Sequence, residues 1–594
     1  MSIPQRKDVP AEYQWDLSSL FPGDEAWEQG LKTYKEMIKK IPDFQGTLNS
    51  SVEAVKICLD FMTELGILGE RLAYYAHLRL SEDGGDPTNQ DRWGRFLQVA
   101  TQAEALAGYL KPELQSIPPR QMDHILKELP EYGIMLRKIL RYKPHTLGPS
   151  EERLLALQQE TNETAEKTFG ALTDVDFDFG VIPTPDGEKP LTHSTFQAFM
   201  MDSNRSIREK AYQQYMGLFD SHKNTLSTLY SGNVHLDIYV ARVRNFPSAL
   251  HAKLFPDDVP PELYYQLVQT VHEGFPVLHR YYELRKKILH LPALHMYDTK
   301  VPLVPDIHIR HTYEEAVDTV IKALAPLGEE YCSILKKGLL GKWVDRCENK
   351  GKRSGAFSAG SYTGDPYILM NFKEDMLRDV FTLAHESGHS MHSYYSARNN
   401  PFQHYEYSIV EAETASTFNE QLLMHYFKQT ASSEEFQRYL TVKHIDDIIG
   451  TFFRQTMFAE FELNCHTSVE EGIPLTVETS RKIYRKLLES YFGTAVTLEP
   501  EDDLEGLRIP HFYRAFYVYK YATGLAAAIA LSRKVLQGGE VERTRYINFL
   551  KTGGSLFPLD SLARAGVDLR EPEPLKETIN LFKSLIERLE AFQT

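Results

Sequence analysis

Over Val55 to Leu80, Arg92 to Leu114 and Ser206 to Val243, apolar residues recur at intervals of three and four, the spacing that lines one face of a helix. Runs of this length fill most of the first 290 residues. They commit that part of the chain to packed antiparallel helices and leave little room for a large sheet. One stretch breaks the pattern: Val175-Asp-Phe-Asp-Phe-Gly-Val-Ile alternates and then meets Pro185-Asp-Gly187, which predicts a hairpin. No fixed-period repeat, low-complexity tract or flexible linker divides the chain. With 594 residues it can bury a large core in two or three coupled units. A boundary is expected near residue 200, between an N-terminal helical region (1–200) and a metal-bearing region (201–594).

The chemistry begins at residues 385–389, His-Glu-Ser-Gly-His. Met376, Leu377, Val380, Phe381, Leu383 and Ala384 precede it, apolar on most sides, so the string is expected on a buried helix. One helical turn separates His385 from His389, which lets both imidazoles reach one metal ion. Glu386 is rotated by about a quarter turn, beside a metal-bound water and off the metal itself. Composition alone gives roughly 0.06 chance occurrences of His-Glu-x-x-His in this chain, too few to dismiss it as accident. Buried histidines beside a buried carboxylate also need partners, and a metal supplies one.

A catalytic zinc takes three protein ligands and keeps one position open. In the helix-like stretch Ser408–Glu420, Glu413, Ser416 and Glu420 share a face, while Glu411 points elsewhere. Glu413 is taken as the third ligand and Glu420 as the carboxylate behind a ligating histidine. Glu411 and His392 are the rivals. His392 follows on the same helix, from which three ligands surround a tetrahedral ion badly. Between the two helices Asn399-Asn-Pro401 reads as the turn that folds the second across the first.

These motifs carry a resemblance. Phe381-Thr-Leu-Ala-His-Glu-Ser-Gly-His-Ser-Met-His392 followed by Glu413-x-x-Ser416 resembles the M3 family of zinc oligopeptidases, most of all its bacterial oligoendopeptidase F branch. Tyr13–Phe21, Gly355-Ala-Phe, Tyr367–Phe372, Phe453–Phe461 and Pro510–Tyr521 extend the likeness over nearly the whole chain. It implies a mainly α, two-lobed peptidase enclosing a deep substrate channel, with a small β-sheet next to the metal-binding helices. It further implies one Zn2+ per chain on His385, His389 and Glu413, and cytoplasmic cleavage of short oligopeptides. The segment His511 to Tyr521 is rich in neutral hydrogen-bond donors. In the family such a segment holds the tetrahedral intermediate. Here His511 carries over, with Tyr519 in an ungapped alignment and Tyr517 in a shifted register; Tyr513 stands in the same string.

The expected function is a zinc metalloendopeptidase in which Glu386 activates a zinc-bound water and returns the proton to the leaving amine. The alternatives are a zinc aminopeptidase, for which no acidic cluster able to grip a free amine is evident, and a non-catalytic helical peptide-binding protein. Ser354 to Phe372 reads as two short strands whose free edge can pair with a peptide backbone. Gly355, Gly360 and Gly364 do not make a phosphate loop, since no Gly-Lys-Ser/Thr follows. A formal charge of -16 disfavours nucleic acid and anionic membranes as partners. Cysteines at 58, 332, 347 and 465 form no Cys-x-x-Cys pair and read as reduced thiols. The first residues lack the apolar core of a signal peptide, and Leu525–Leu531 is too short to span a bilayer.

Overall fold

The structure is a computed structural model that describes residues 3–305, 307 and 309–592. It is mainly helical, with small sheets only among the described residues. The long periodic segments are helices, some divided. Val52–Glu82 (α1) is continuous, whereas the second run divides into Pro87–Ala107 and Leu110–Ser116 at Gly108, and the third into Arg205–Ser221 and Lys223–Val243 at His222. The hairpin pairs Val181–Thr184 with Gly187–Pro190 about the predicted turn. Val175 and Asp176 do not join it, because they end a stretch of π-helix.

The chain folds as two compact units. One comprises Met1–Pro144, His308–Thr430 and Ala527–Asp568; the other comprises His145–Ile307, Ala431–Ala526 and Leu569–Thr594. The boundary expected near residue 200 coincides with none of these limits. Helices distant in sequence pack together in each unit, and chain order carries no trace of that pairing.

In the first unit Trp15, Trp27, Leu31, Leu72 and Phe96 build a core that reaches Tyr367 and Leu369. Those last two belong to a three-stranded sheet. Val344–Asp345 (β1) runs parallel to Pro366–Leu369 (β3), and Phe357–Gly360 (β2) pairs antiparallel with β3 from the other side. The order β1-β3-β2 leaves β2 at an edge. Glu70 of α1 ties the neighbouring turn down: it accepts the Tyr362 N–H at 2.6 Å and the Tyr405 hydroxyl. Burial pushes this carboxyl up to about 7, against both hydrogen bonds. No helix of the described residues is long and apolar enough to cross a membrane.

Candidate active site

His-Glu-Ser-Gly-His lies in the middle of Leu377–Asn399 (α2), a helix buried on most sides by Val380, Phe381, Leu383, Ala384, Met391 and Tyr395. After the turn at Pro401, Ile409–Thr430 (α3) crosses it. The crossing is set at Gly388, where a Cβ would stand 2.5 Å from both the Ala415 carbonyl oxygen and the Ser416 Cα. Only glycine lets the two backbones meet this closely. Asn419 fastens the same crossing one turn away, donating from Nδ2 to the Ala384 carbonyl at 3.2 Å.

Glu413 and Glu420 are thereby carried to His385. Its Nδ1 lies 2.5 Å from Glu420 Oε1, and its Nε2 lies 3.8 Å from Glu413 Oε2. His389 Nε2 approaches His385 Nε2 at 3.2 Å. One donor atom each from His385, His389 and Glu413 fall within 4.8 Å of one another. Zinc bonds of about 2.0–2.1 Å in a tetrahedron put neighbouring donors roughly 3.3 Å apart, so the set fits an ion without large movement. Glu420 holds a proton on His385 Nδ1 and so turns Nε2 toward the group, where it can ligate once it gives up its own proton.

Electrostatics follow from burial and from the carboxylates. Burial pulls His385 down, but the bond to Glu420 and the surrounding negative charge outweigh it and raise its pKa to about 9. Burial and the His385 charge take His389 down to about 3, so it stays neutral. Glu386 is pushed up to about 7 by burial, with Glu413 and Glu420 adding to the shift. Among the described residues its Oε2 is buried without a hydrogen-bond partner, a costly state for a carboxylate that serves only packing. A water between this oxygen and a metal would satisfy it.

Neither rival ligand belongs to this group. Glu411 caps the start of α3, accepting from the Ser408 N–H at 3.0 Å and the Ser408 hydroxyl at 2.9 Å. His392 is fully buried and stacked on Tyr407, ring centroids 3.5 Å apart. Gly388 and Asn419 were not singled out from sequence. A glycine inside a helix that must bind metal is the signal that could have found the first.

In the second unit His511 sits at the surface on the 3-10 turn Pro510–Tyr513, its ring partly enclosed, and that partial desolvation and Arg514 lower its pKa. Tyr517 and Tyr521 are its ring neighbours at 6.4 and 6.2 Å. Tyr519 is not with them. It is 2% exposed and packed against Tyr264 at 5.4 Å, with a buried hydroxyl that has no partner among the described residues. Tyr513 likewise packs inward, against Phe169 at 4.7 Å.

The family model of Peptidase family M3 matches residues 198–581, and that of Oligopeptidase F matches residues 113–179. The chain belongs to peptidase family M3. Over 99% of its length it is 41% identical to the oligopeptidase PepF of Bacillus subtilis, covering 88% of that protein. An oligoendopeptidase F homolog of Borreliella burgdorferi is 39% identical over 98% of this chain and 99% of its own. Among solved structures, oligoendopeptidase-F from Enterococcus faecium superposes with a TM-score of 0.75 at 30% identity, over 96% of this chain and 99% of that one. As an M3 member the chain is a metallopeptidase, and among its described residues His385, His389 and Glu413 form a group that could hold a metal ion.

Proposed function

We propose that the chain is a zinc metalloendopeptidase that cuts internal bonds of short oligopeptides in the cytoplasm. The observation that carries this is the convergence of His385, His389 and Glu413 beside a buried Glu386 oxygen with no partner among the described residues. The names of the relatives, oligopeptidase and oligoendopeptidase F, support the substrate class. His385, His389 and Glu413 would hold the zinc, which when bound lowers the pKa of a water toward roughly 7 and polarises a carbonyl. Glu386 then takes the proton of the attacking water and delivers it to the leaving nitrogen.

The edge strand β2 suits an extended peptide. Gly360 lets it lie on α2, since a Cβ there would stand 2.1 Å from the Ser393 Cβ. Ser358 hydrogen-bonds through Oγ to Ser390 Oγ at 2.8 Å, next to His389. Main-chain pairing along β2 would hold many sequences in register. For the oxyanion, His511 with Tyr517 beside it is favoured over Tyr519, whose hydroxyl is enclosed in the core. The test is Glu386→Gln: the variant should fold and bind one zinc per chain yet leave an internally quenched peptide intact. Wild-type turnover by it would end the proposal. The wild type should also cut an N-acetylated peptide, which an aminopeptidase would spare.

A further inference from the structure

Phe516 holds a backbone conformation that its own side chain disfavours. Its φ is 59°, in the left-handed region, where a bulky residue persists only if its neighbours hold it there. One helix, Arg454–Glu470, supplies two of the holds. Glu462 accepts the Phe516 N–H on Oε1 at 3.0 Å. His466, one turn further along, packs its ring against the Phe516 ring with centroids 4.6 Å apart. Tyr264 meets the same ring edge-on at 5.7 Å. All four residues belong to the second unit.

Glu462 is the unexplained member of this group. It is 0% exposed, and among the described residues its Oε2 has no hydrogen-bond partner. Burial pushes its carboxyl well above the ordinary range, Asp237 adds to the shift, and the Phe516 N–H and Lys253 do not reverse it. Half of an enclosed carboxyl left unpaired costs stability, so packing alone does not account for an acid here. The acceptor it aims at Phe516 does. Tyr517 comes next in the chain, its ring 6.4 Å from that of His511, which lies on the other side of the turn. A rotation about φ of Phe516 swings these two sides apart, since φ and ψ are the only soft torsions there.

We propose that Glu462 is a positioning residue for peptide hydrolysis: its carboxyl fixes the left-handed turn at Phe516 and so keeps the Tyr517 hydroxyl beside His511, ready to receive the oxyanion. Enclosed in the second unit, it touches no peptide itself and acts only through the turn. This rests on the proposed role of His511 and Tyr517 at the oxyanion, and the variants below let the two fail separately.

Glu462→Met removes the acceptor and keeps the bulk, whereas Glu462→Gln keeps an acceptor of the same reach. With the zinc-loaded full chain and an internally quenched peptide, Glu462→Met should lower kcat at least about tenfold at unchanged KM and zinc content, the mark of a contact made only in the transition state. Glu462→Gln should keep kcat within about threefold. Tyr517→Phe should be slow by itself, and adding Glu462→Met to it should cost almost nothing more, because both changes remove the same hydroxyl. Wild-type kcat in Glu462→Met beside a slow Tyr517→Phe overturns the positioning role alone. Wild-type kcat in Tyr517→Phe overturns the oxyanion role of Tyr517, and the positioning role with it. Equal losses in the two Glu462 variants, a loss carried by KM, or full additivity with Tyr517→Phe each overturn the proposal too. Should Glu462→Met lose its circular dichroism, Phe516→Val takes its place: a β-branched residue resists a positive φ, so kcat should again fall, and an unchanged kcat overturns the proposal equally.

Discussion

Gly388→Ala puts the smallest possible side chain into the helix crossing on which the metal site depends. The new Cβ would stand 2.5 Å from the Ala415 oxygen and from the Ser416 Cα, against 3.4 Å at the near edge of ordinary contact. Both obstacles are backbone, so α3 must withdraw by the difference, 3.4 − 2.5 = 0.9 Å. Glu413 stands two residues from Ala415 on the same rigid helix and retreats with it. Zinc–ligand distances tolerate only about 0.2 Å of error. The Glu420–His385 bond, now 2.5 Å, opens by a comparable amount. Overpacking costs about 1–3 kcal/mol, and the better helix propensity of alanine returns about 1 kcal/mol, so the fold should survive. Function should not. A misplacement near 1 Å costs on the order of 100-fold in kcat/KM, with zinc affinity lowered at least about tenfold. Chelator competition and hydrolysis of a quenched peptide would be read beside thermal melting. Gly217→Ala is the control, since nothing lies within 4 Å of a Cβ built there. If Gly388→Ala kept wild-type zinc affinity and turnover, the claim that glycine sets this site would be refuted.

Glu420→Gln keeps the shape of the side chain but removes the charge behind His385 Nδ1. Zinc affinity measured by chelator competition should fall about 10–100-fold, with little change in melting temperature. Glu70→Gln tests a buried acid far from the metal in sequence. Its folded pKa of about 7 lies above the ordinary 4.5, so the stability held by its proton is full below pH 4.5 and lost as pH rises through 7. The loss amounts to about 3 kcal/mol. Melting temperatures of the two proteins should therefore diverge in favour of Glu70→Gln between about pH 5 and 8, and a pH-independent gap would count against the buried acid.

That His385 shares a helix face with His389, and Glu413 with Glu420, was legible because helical spacing is local: four residues fix the relation of His385 to His389, and seven that of Glu413 to Glu420. What brings the two helices together was not, because it depends on which residue of α2 faces which residue of α3. Gly388 reads in sequence as a weak helix position, and Asn419 as an ordinary polar one. Their roles appear only when Ala415 and Ala384 are seen against them. The interleaved units were hidden for the same reason, since sequence proximity does not report packing.

The tyrosine string shows a different limit, one of register. Tyr513, Tyr517, Tyr519 and Tyr521 stand at odd positions, as if along a strand, and counting alone makes any of them a donor. The backbone breaks the count at Phe516, whose φ of 59° is left-handed and unusual for an aromatic residue. Its N–H is held by Glu462 Oε1 at 3.0 Å, a carboxylate fully enclosed in the helix Arg454–Glu470. Beyond that turn the chain enters the helix Tyr519–Thr552, and Tyr517, just ahead of its first turn, meets Tyr521 with ring centroids 5.5 Å apart. Tyr519 is carried to the opposite side and into the core against Tyr264. One strained residue, fixed by a buried acid distant in sequence, therefore decides which hydroxyls are presented beside His511.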